Sequence, residues 1–168
     1  MEFVGEYRFN ASAAEVWTAL NDPEVLRRTI PGCESVVRIT ATEYAAHVRI
    51  KLGPIGVSFD GKILLSELDP PTRYRIGAEA HANIGGSAEG SARVRLTDLP
   101  DGSVLRYEAD SEIGGRLATI GAKFVRGTAT RYADKFFARF AKAMEERARG
   151  FAAPDDQPAS LAAGDGSS

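Results

Sequence analysis

Side chains able to do chemistry are few in this chain, and they are scattered. A catalytic or metal site would have to be built from His47, His81, the single Cys33 and the carboxylates and tyrosines of the central segment. Zinc sites draw on close sets of Cys and His ligands, and one thiol with two distant imidazoles does not supply one, so no metal is expected. His47 alternates with Arg49 and Lys51, opposite an apolar set of Tyr44, Ala46, Val48, Ile50 and Leu52. His81 shares its side with Arg73, Arg75, Glu79 and Asn83. If these runs are strands, successive side chains take opposite faces, and both histidines point to solvent. Asp60 falls with Ser58 and Lys62, against Val57, Phe59, Gly61, Ile63 and Leu65. Glu108, Asp110 and Glu112 likewise alternate against Tyr107, Ala109, Ser111 and Ile113. No carboxylate is forced into the apolar side, so none is expected to have the raised pKa of a general acid working near neutrality. Cys33 follows Pro31-Gly32 with no histidine nearby to activate it. Catalytic residues are therefore not expected. The polar groups left on the inward side are Tyr44, Tyr74, Tyr107 and Ser111, whose ordinary role is packing with the hydroxyl at the rim.

The elements that position these residues suggest a pocket and its cover. One strand-like run places Tyr74, Ile76, Ala78, Ala80, Ala82 and Ile84 on one face, and the next places Ala88, Gly90, Ala92, Val94 and Leu96. Protein interiors are close-packed, and these small residues supply little bulk. Beyond them, Leu117 to Met144 repeats apolar residues in steps of three and four, the signature of an amphipathic helix. Leu117, Ile120, Gly121, Phe124, Thr128, Tyr132, Phe136 and Phe140 define its stripe, with Val125, Ala129, Ala133 and Phe137 flanking. Such a stripe is ordinarily core packing. Large aromatics facing Ala and Gly can also leave a tunnel for a flat or elongated apolar molecule, and Gly114, Gly115, Gly121 and Gly127 would let that end of the cover move.

Length and composition bound the rest. A chain of 168 residues, 43% hydrophobic, builds one good core. No apolar run reaches the roughly 20 residues of a bilayer span, and the first residues do not read as a signal peptide. A cytoplasmic location is expected. Phe3 to Phe9 alternates as a strand, Ser12 to Glu15 has the spacing of a capping box, and Asn21-Asp22-Pro23 opens a second short helix. Six further strands are predicted at about 34–41, 43–52, 56–68, 72–84, 87–98 and 103–113. They are separated by Gly53-Pro54-Ile55-Gly56, Asp69-Pro70-Pro71-Thr72, Gly85-Gly86 and Pro100-Asp101-Gly102. The glycine pairs are a hairpin turn and a strand-to-helix joint, not phosphate cradles. Consecutive hairpins favour an antiparallel sheet with one face covered. The class is therefore α+β: a seven-stranded curved antiparallel sheet wrapped around a long C-terminal helix, with two short helices after the first strand and an internal apolar cavity. The pattern resembles the helix-grip proteins of the START-like (SRPBCC) superfamily. The domain is expected over 1–149, with a disordered tail over 150–168, where Pro, Asp, Ser, Gly and Ala dominate.

A closer likeness lies in residue strings spread over positions 2 to 145. Ile30-Pro31-Gly32-Cys33-Glu34, Leu52-Gly53-Pro54-Ile55, Phe59-Asp60-Gly61-Lys62, the Ala/Gly-rich segment 85–92 and Ile113-Gly114-Gly115-Arg116-Leu117-Ala118 together resemble the carbon monoxide dehydrogenase CoxG family. The resemblance implies an accessory protein of a molybdenum hydroxylase such as carbon monoxide dehydrogenase. It further implies a bound membrane quinone, menaquinone or ubiquinone, and a link between enzyme and membrane. Family members with a long extension ending in an apolar anchor are known, and an integral anchor is not expected of the short tail here. An accessory or carrier protein is expected rather than a catalyst. The alternatives are a polyketide cyclase or dehydratase, or a recruitment factor whose cavity is filled by its own side chains.

The candidate ligand contacts on the sheet are Tyr44, Tyr74, Ile76, Ala78, Ala80, Ala82, Ala88, Gly90, Ala92 and Tyr107. Leu117, Ile120, Gly121, Phe124 and Phe136 would be those on the cover. Ile30, Pro31, Pro54 and Ile55 are candidates for contact with a membrane or a partner enzyme, flanking the cavity mouth. Between Arg116 and Arg149 there are nine Lys or Arg against three Asp or Glu. Such a helix suits either ordinary solvation or anionic headgroups, each basic residue near a surface being worth about 1 kcal/mol. The chain as a whole carries a net charge of −2, and no aromatics are interleaved with the basic residues, so nucleic acid is not an expected partner.

Overall fold

A computed structural model describes residues 1–152. Strand β1 (Glu2–Phe9) is followed by helices α1 (Ala13–Leu20) and α2 (Pro23–Thr29). The meander comprises β2 (Cys33–Thr40), β3 (Glu43–Leu52), β4 (Ile55–Asp69), β5 (Arg73–Ala82), β6 (Ser87–Leu99) and β7 (Gly102–Gly114). A 3₁₀ segment, Gly115–Ile120, then leads into helix α3 (Ala122–Ala152). The seven strands form one antiparallel sheet in the order β1-β7-β6-β5-β4-β3-β2. The architecture is the one expected: an open antiparallel sheet, two short helices after its first strand and a long helix against it.

Local chemistry explains the boundaries. Ser12 caps α1 by accepting from the Glu15 amide while Glu15 accepts from the Ser12 amide, satisfying donors that helix N-termini leave open. Asp22 caps α2, and Pro23 occupies its first turn, where no amide is needed. Gly32 turns the chain from α2 into β2 at φ +76°, and a Cβ there would sit 2.0 Å from the Arg49 carbonyl oxygen. No other residue fits that turn without moving β3.

Two corrections to the sequence reading concern the long helix. It does not run unbroken from Leu117: the chain first makes a 3₁₀ segment and then breaks at Gly121, whose φ of +111° is open to glycine but strained for side chains. At the other end the helix continues through Ala152, past the expected domain boundary at 149. The rest of the tail predicted to be disordered lies outside the described residues.

Two apolar clusters hold the layers together. Phe9, Val16, Leu96, Leu105, Phe140 and Met144 centre the larger one, beneath α1 and the second half of α3. Leu52, Val57, Ala82 and Leu117 form the smaller one beside the 3₁₀ segment. Between them helix and sheet do not meet fully.

Candidate functional site: an apolar cavity under the long helix

The gap between the clusters is a cavity of about 700 Å³, within the range of about 300–1,000 Å³ typical of small-molecule sites. Register explains why it exists. Ala46, Gly61, Ala80 and Ala88 are successive partners across β3, β4, β5 and β6, and the neighbouring row carries Ala78 and Gly90 between Ile63 and Ser111. A band of methyl groups and hydrogens four strands wide cannot reach the helix above it. The wall contains no Asp, Glu, Lys, Arg or His.

Sheet residues named from the sequence divide in two. Tyr44, Tyr74, Ile76, Ala80, Ala88, Ala92 and Tyr107 line the cavity, as does Ser111. Ala78 and Gly90 do not, because in their row the larger flanking side chains make the wall. Ala82 belongs instead to the smaller core cluster, 9% exposed.

On the cover, Leu117 and Phe136 line the cavity, whereas Ile120, Gly121 and Phe124 do not. The break at Gly121 is the reason, since a face extrapolated at helical pitch from Leu117 loses phase through the 3₁₀ turn. The lining face of α3 is Val125, Thr128, Ala129, Tyr132, Ala133, Phe136 and Phe137. Ile120 packs on the smaller cluster. Phe124 is 42% exposed and lies over the β3–β4 turn, where a Cβ on Gly53 would come within 3.0 Å of its ring. A Cβ on Gly121 would meet nothing within 4 Å, so a larger residue there would strain the backbone and leave the cavity open.

Of the four proposed surface contacts, Pro54 and Ile55 are exposed at the β3–β4 turn. Pro31 is buried and Ile30 half-buried, and both belong to the cavity wall, because Gly32 folds the loop inward over β3. Sequence reasoning missed the corner between α1 and α2, where Leu20, Asn21 and Leu26 close the wall. No sequence signal brings that corner to the sheet; its side chains meet β3 only through the tertiary fold, as in the Tyr44 hydroxyl donating to the Asn21 carbonyl at 3.1 Å.

Groups with more reactive potential lie elsewhere or are tied up. His47 sits on the outer face, bracketed by Asp60 at 2.6 Å from Nδ1 and Glu34 at 3.2 Å from Nε2. Burial pushes the Cys33 thiol up, away from the thiolate form a nucleophile needs. Among the described residues no cluster of three or more His, Cys, Asp or Glu could hold a metal ion. At the seam between β1 and α3, the Tyr7 hydroxyl donates to Asp134 at 3.0 Å, and the Tyr7 ring stacks on Phe137 at 3.9 Å.

Burial, reinforced by the Asp134 hydrogen bond, pushes Tyr7 up to about 12. Burial also raises Tyr74 and Tyr107. The fold thus holds neutral phenols that the unfolded chain would ionise near the ordinary value of about 10. Stability is full below about pH 10 and falls as pH climbs toward 12, because over that window the unfolded chain binds fewer protons than the native one. Denaturant midpoints taken across the alkaline range are expected to be flat and then to fall, and Tyr7→Phe to flatten part of the fall.

Comparison with known proteins places this geometry. In fold the molecule is a START-like helix-grip protein. It is similar to a conserved protein from Geobacillus kaustophilus, at 26% identity and a TM-score of 0.80, covering 87% of this chain and 96% of that one. A START superfamily protein from Mycobacterium smegmatis matches at 13% identity and a TM-score of 0.67, over 87% of this chain and 98% of the other. The Zhui aromatase/cyclase from Streptomyces sp. R1128 matches at 15% identity and a TM-score of 0.65, over 90% and 97%. Among curated proteins no match is found. The family model for the carbon monoxide dehydrogenase protein CoxG matches residues 5–145, and the chain belongs to that family.

Proposed function

We propose that this protein carries a neutral apolar molecule, a membrane quinone such as menaquinone or ubiquinone, on behalf of a molybdenum hydroxylase of the carbon monoxide dehydrogenase kind. The observation that carries the reading is the cavity: about 700 Å³, walled by apolar and aromatic side chains, without one charged side chain on its lining. A site of that character favours binding over proton-transfer catalysis, since the wall offers no carboxylate, imidazole or amine to act as acid or base. Family membership supports the choice of enzyme partner.

Contact with the inner face of the cell membrane is part of the same proposal. Ile55, 44% exposed, and Phe124, 42% exposed, stand near the β3–β4 turn, with the exposed Lys51 and Lys123 beside them in sequence. Apolar tips flanked by basic residues suit an anionic lipid surface. Among the described residues no helix is long and apolar enough to cross a membrane, so the contact proposed is peripheral.

Native mass spectrometry of the protein purified from a quinone-containing host, followed by solvent extraction, tests the reading. One isoprenoid quinone per chain is the expected result. An empty protein that also refuses added menaquinone and ubiquinone overturns it, and leaves recruitment of the enzyme without a cargo as the surviving role.

A further inference from the structure

We infer that the cavity selects ligands bearing an uncharged hydrogen-bond acceptor, a carbonyl oxygen above all, which the Tyr74 hydroxyl binds beside the α1–α2 corner. The inference rests on the cavity being a ligand site. Tyr74 is 6% exposed and lines the cavity, yet its hydroxyl has no hydrogen-bond partner among the described residues. The one side-chain polar atom there that is both sealed from solvent and unpartnered is Ser103 Oγ, so the Tyr74 hydroxyl opens onto free space, and the free space beside it is the cavity. Leaving a buried donor unsatisfied costs about 1–3 kcal/mol, which a ligand acceptor would relieve. The other tyrosines nearby are engaged: Tyr44 donates to the Asn21 carbonyl at 3.1 Å, and Tyr132 accepts from the Lys51 amide at 3.3 Å.

The charge of the ligand follows from the rest of the wall. With no Lys, Arg or His lining the cavity, a carboxylate would lose its water and gain a single neutral donor, a poor exchange. A ketone, ester or quinone carbonyl loses far less and gains the same bond. The ligand class is therefore a neutral, carbonyl-bearing apolar molecule, and fatty-acid anions are selected against.

Trp17, the one tryptophan in the chain, lies edge-on to the Tyr74 ring with centroids 4.8 Å apart, so its fluorescence reports occupancy at this end. Quenching by decylubiquinone gives the affinity for a quinone, and displacement of that quinone by dodecylbenzene gives the affinity for an oxygen-free chain. Tyr74→Phe is expected to weaken decylubiquinone by roughly 3- to 10-fold, the size of one hydrogen bond, while dodecylbenzene changes less than about twofold. A measurement independent of the variant is the infrared spectrum of decylubiquinone bound to the wild-type protein, where one carbonyl stretch is expected to move to lower frequency. Equal affinities in variant and wild type, equal weakening of both probes, or unshifted carbonyl bands would overturn the Tyr74 assignment while the cavity reading stands. Uptake of neither probe by the wild type removes both.

Discussion

Replacing Ala80 and Ala92 with phenylalanine yields a folded protein that has lost uptake of quinone by at least about 100-fold, near 2.8 kcal/mol at tenfold per 1.4 kcal/mol. Both alanines line the cavity from adjacent strands, and neither belongs to the two packed clusters. Two benzyl groups raised from the floor would occupy space that a ligand needs. In a filled core, overpacking of this kind typically costs 1–3 kcal/mol. Here the added rings enter free volume and bury apolar surface, so the thermal transition is expected to hold or rise. Fluorescence titration with decylubiquinone beside a thermal melt separates the cases. Unchanged uptake would move the binding site elsewhere, and a sharply lowered melting temperature would show that the interior is packed in solution and has no room for cargo.

Phe140→Ala is expected to give the largest loss of stability of any single truncation on the cover, about 3–5 kcal/mol. Phe140 is 0% exposed, meets Phe9 edge-on with centroids 5.4 Å apart and lies 5.8 Å from the Phe136 ring. It therefore fastens the second half of α3 to β1, and its removal leaves a hole that rigid neighbours on three elements cannot close. For a chain of this size the melting temperature falls by roughly 2–4 °C per kcal/mol. Phe124→Ala, on the same sequence stripe, is expected to stay within about 0.5 kcal/mol because the ring is already partly in water. Equal losses for the two would mean that the first turns of α3 pack more tightly than described.

The two phenylalanines also show where sequence reasoning stops. Alternation and turn chemistry made the sheet readable, since Gly53-Pro54, Pro70-Pro71 and Gly85-Gly86 punctuate runs whose parity is hard to misread. The alanine floor was legible for the same reason, although the contribution of Ala46 and Gly61 emerged only with the register. The cover was read as one helix, and its phase was lost because the pattern cannot distinguish a continuous helix from a 3₁₀ turn followed by a glycine break. Phe124 and Gly121 were assigned to the wall on that extrapolation, whereas Val125, Ala129 and Ala133 turn out to form it. The Ile30-Pro31 loop reads from its composition as an exposed tip. Only the left-handed turn at Gly32, set by the approach of the Arg49 carbonyl, tucks it under. The unpaired hydroxyl of Tyr74 had no sequence counterpart, because the pairing of a side chain is a property of the surroundings it folds into.

The pairing of β1 with β7 has a consequence for how the chain is made. The first strand finds its hydrogen-bonding partner at the far end of the meander; the amino group of Met1 and the Ser111 carbonyl it donates to are 110 residues apart. At translation rates of about 5–20 residues per second, β1 emerges on the order of 5 to 20 seconds before β7 does. During that interval β2 to β6 can zip as successive hairpins, each closing on its predecessor, while β1 remains a loose ribbon at the leading end. Closure of the sheet, and with it the formation of any interior able to hold a cargo, is thus a late event in the life of the nascent chain, so loading follows synthesis of nearly the whole domain.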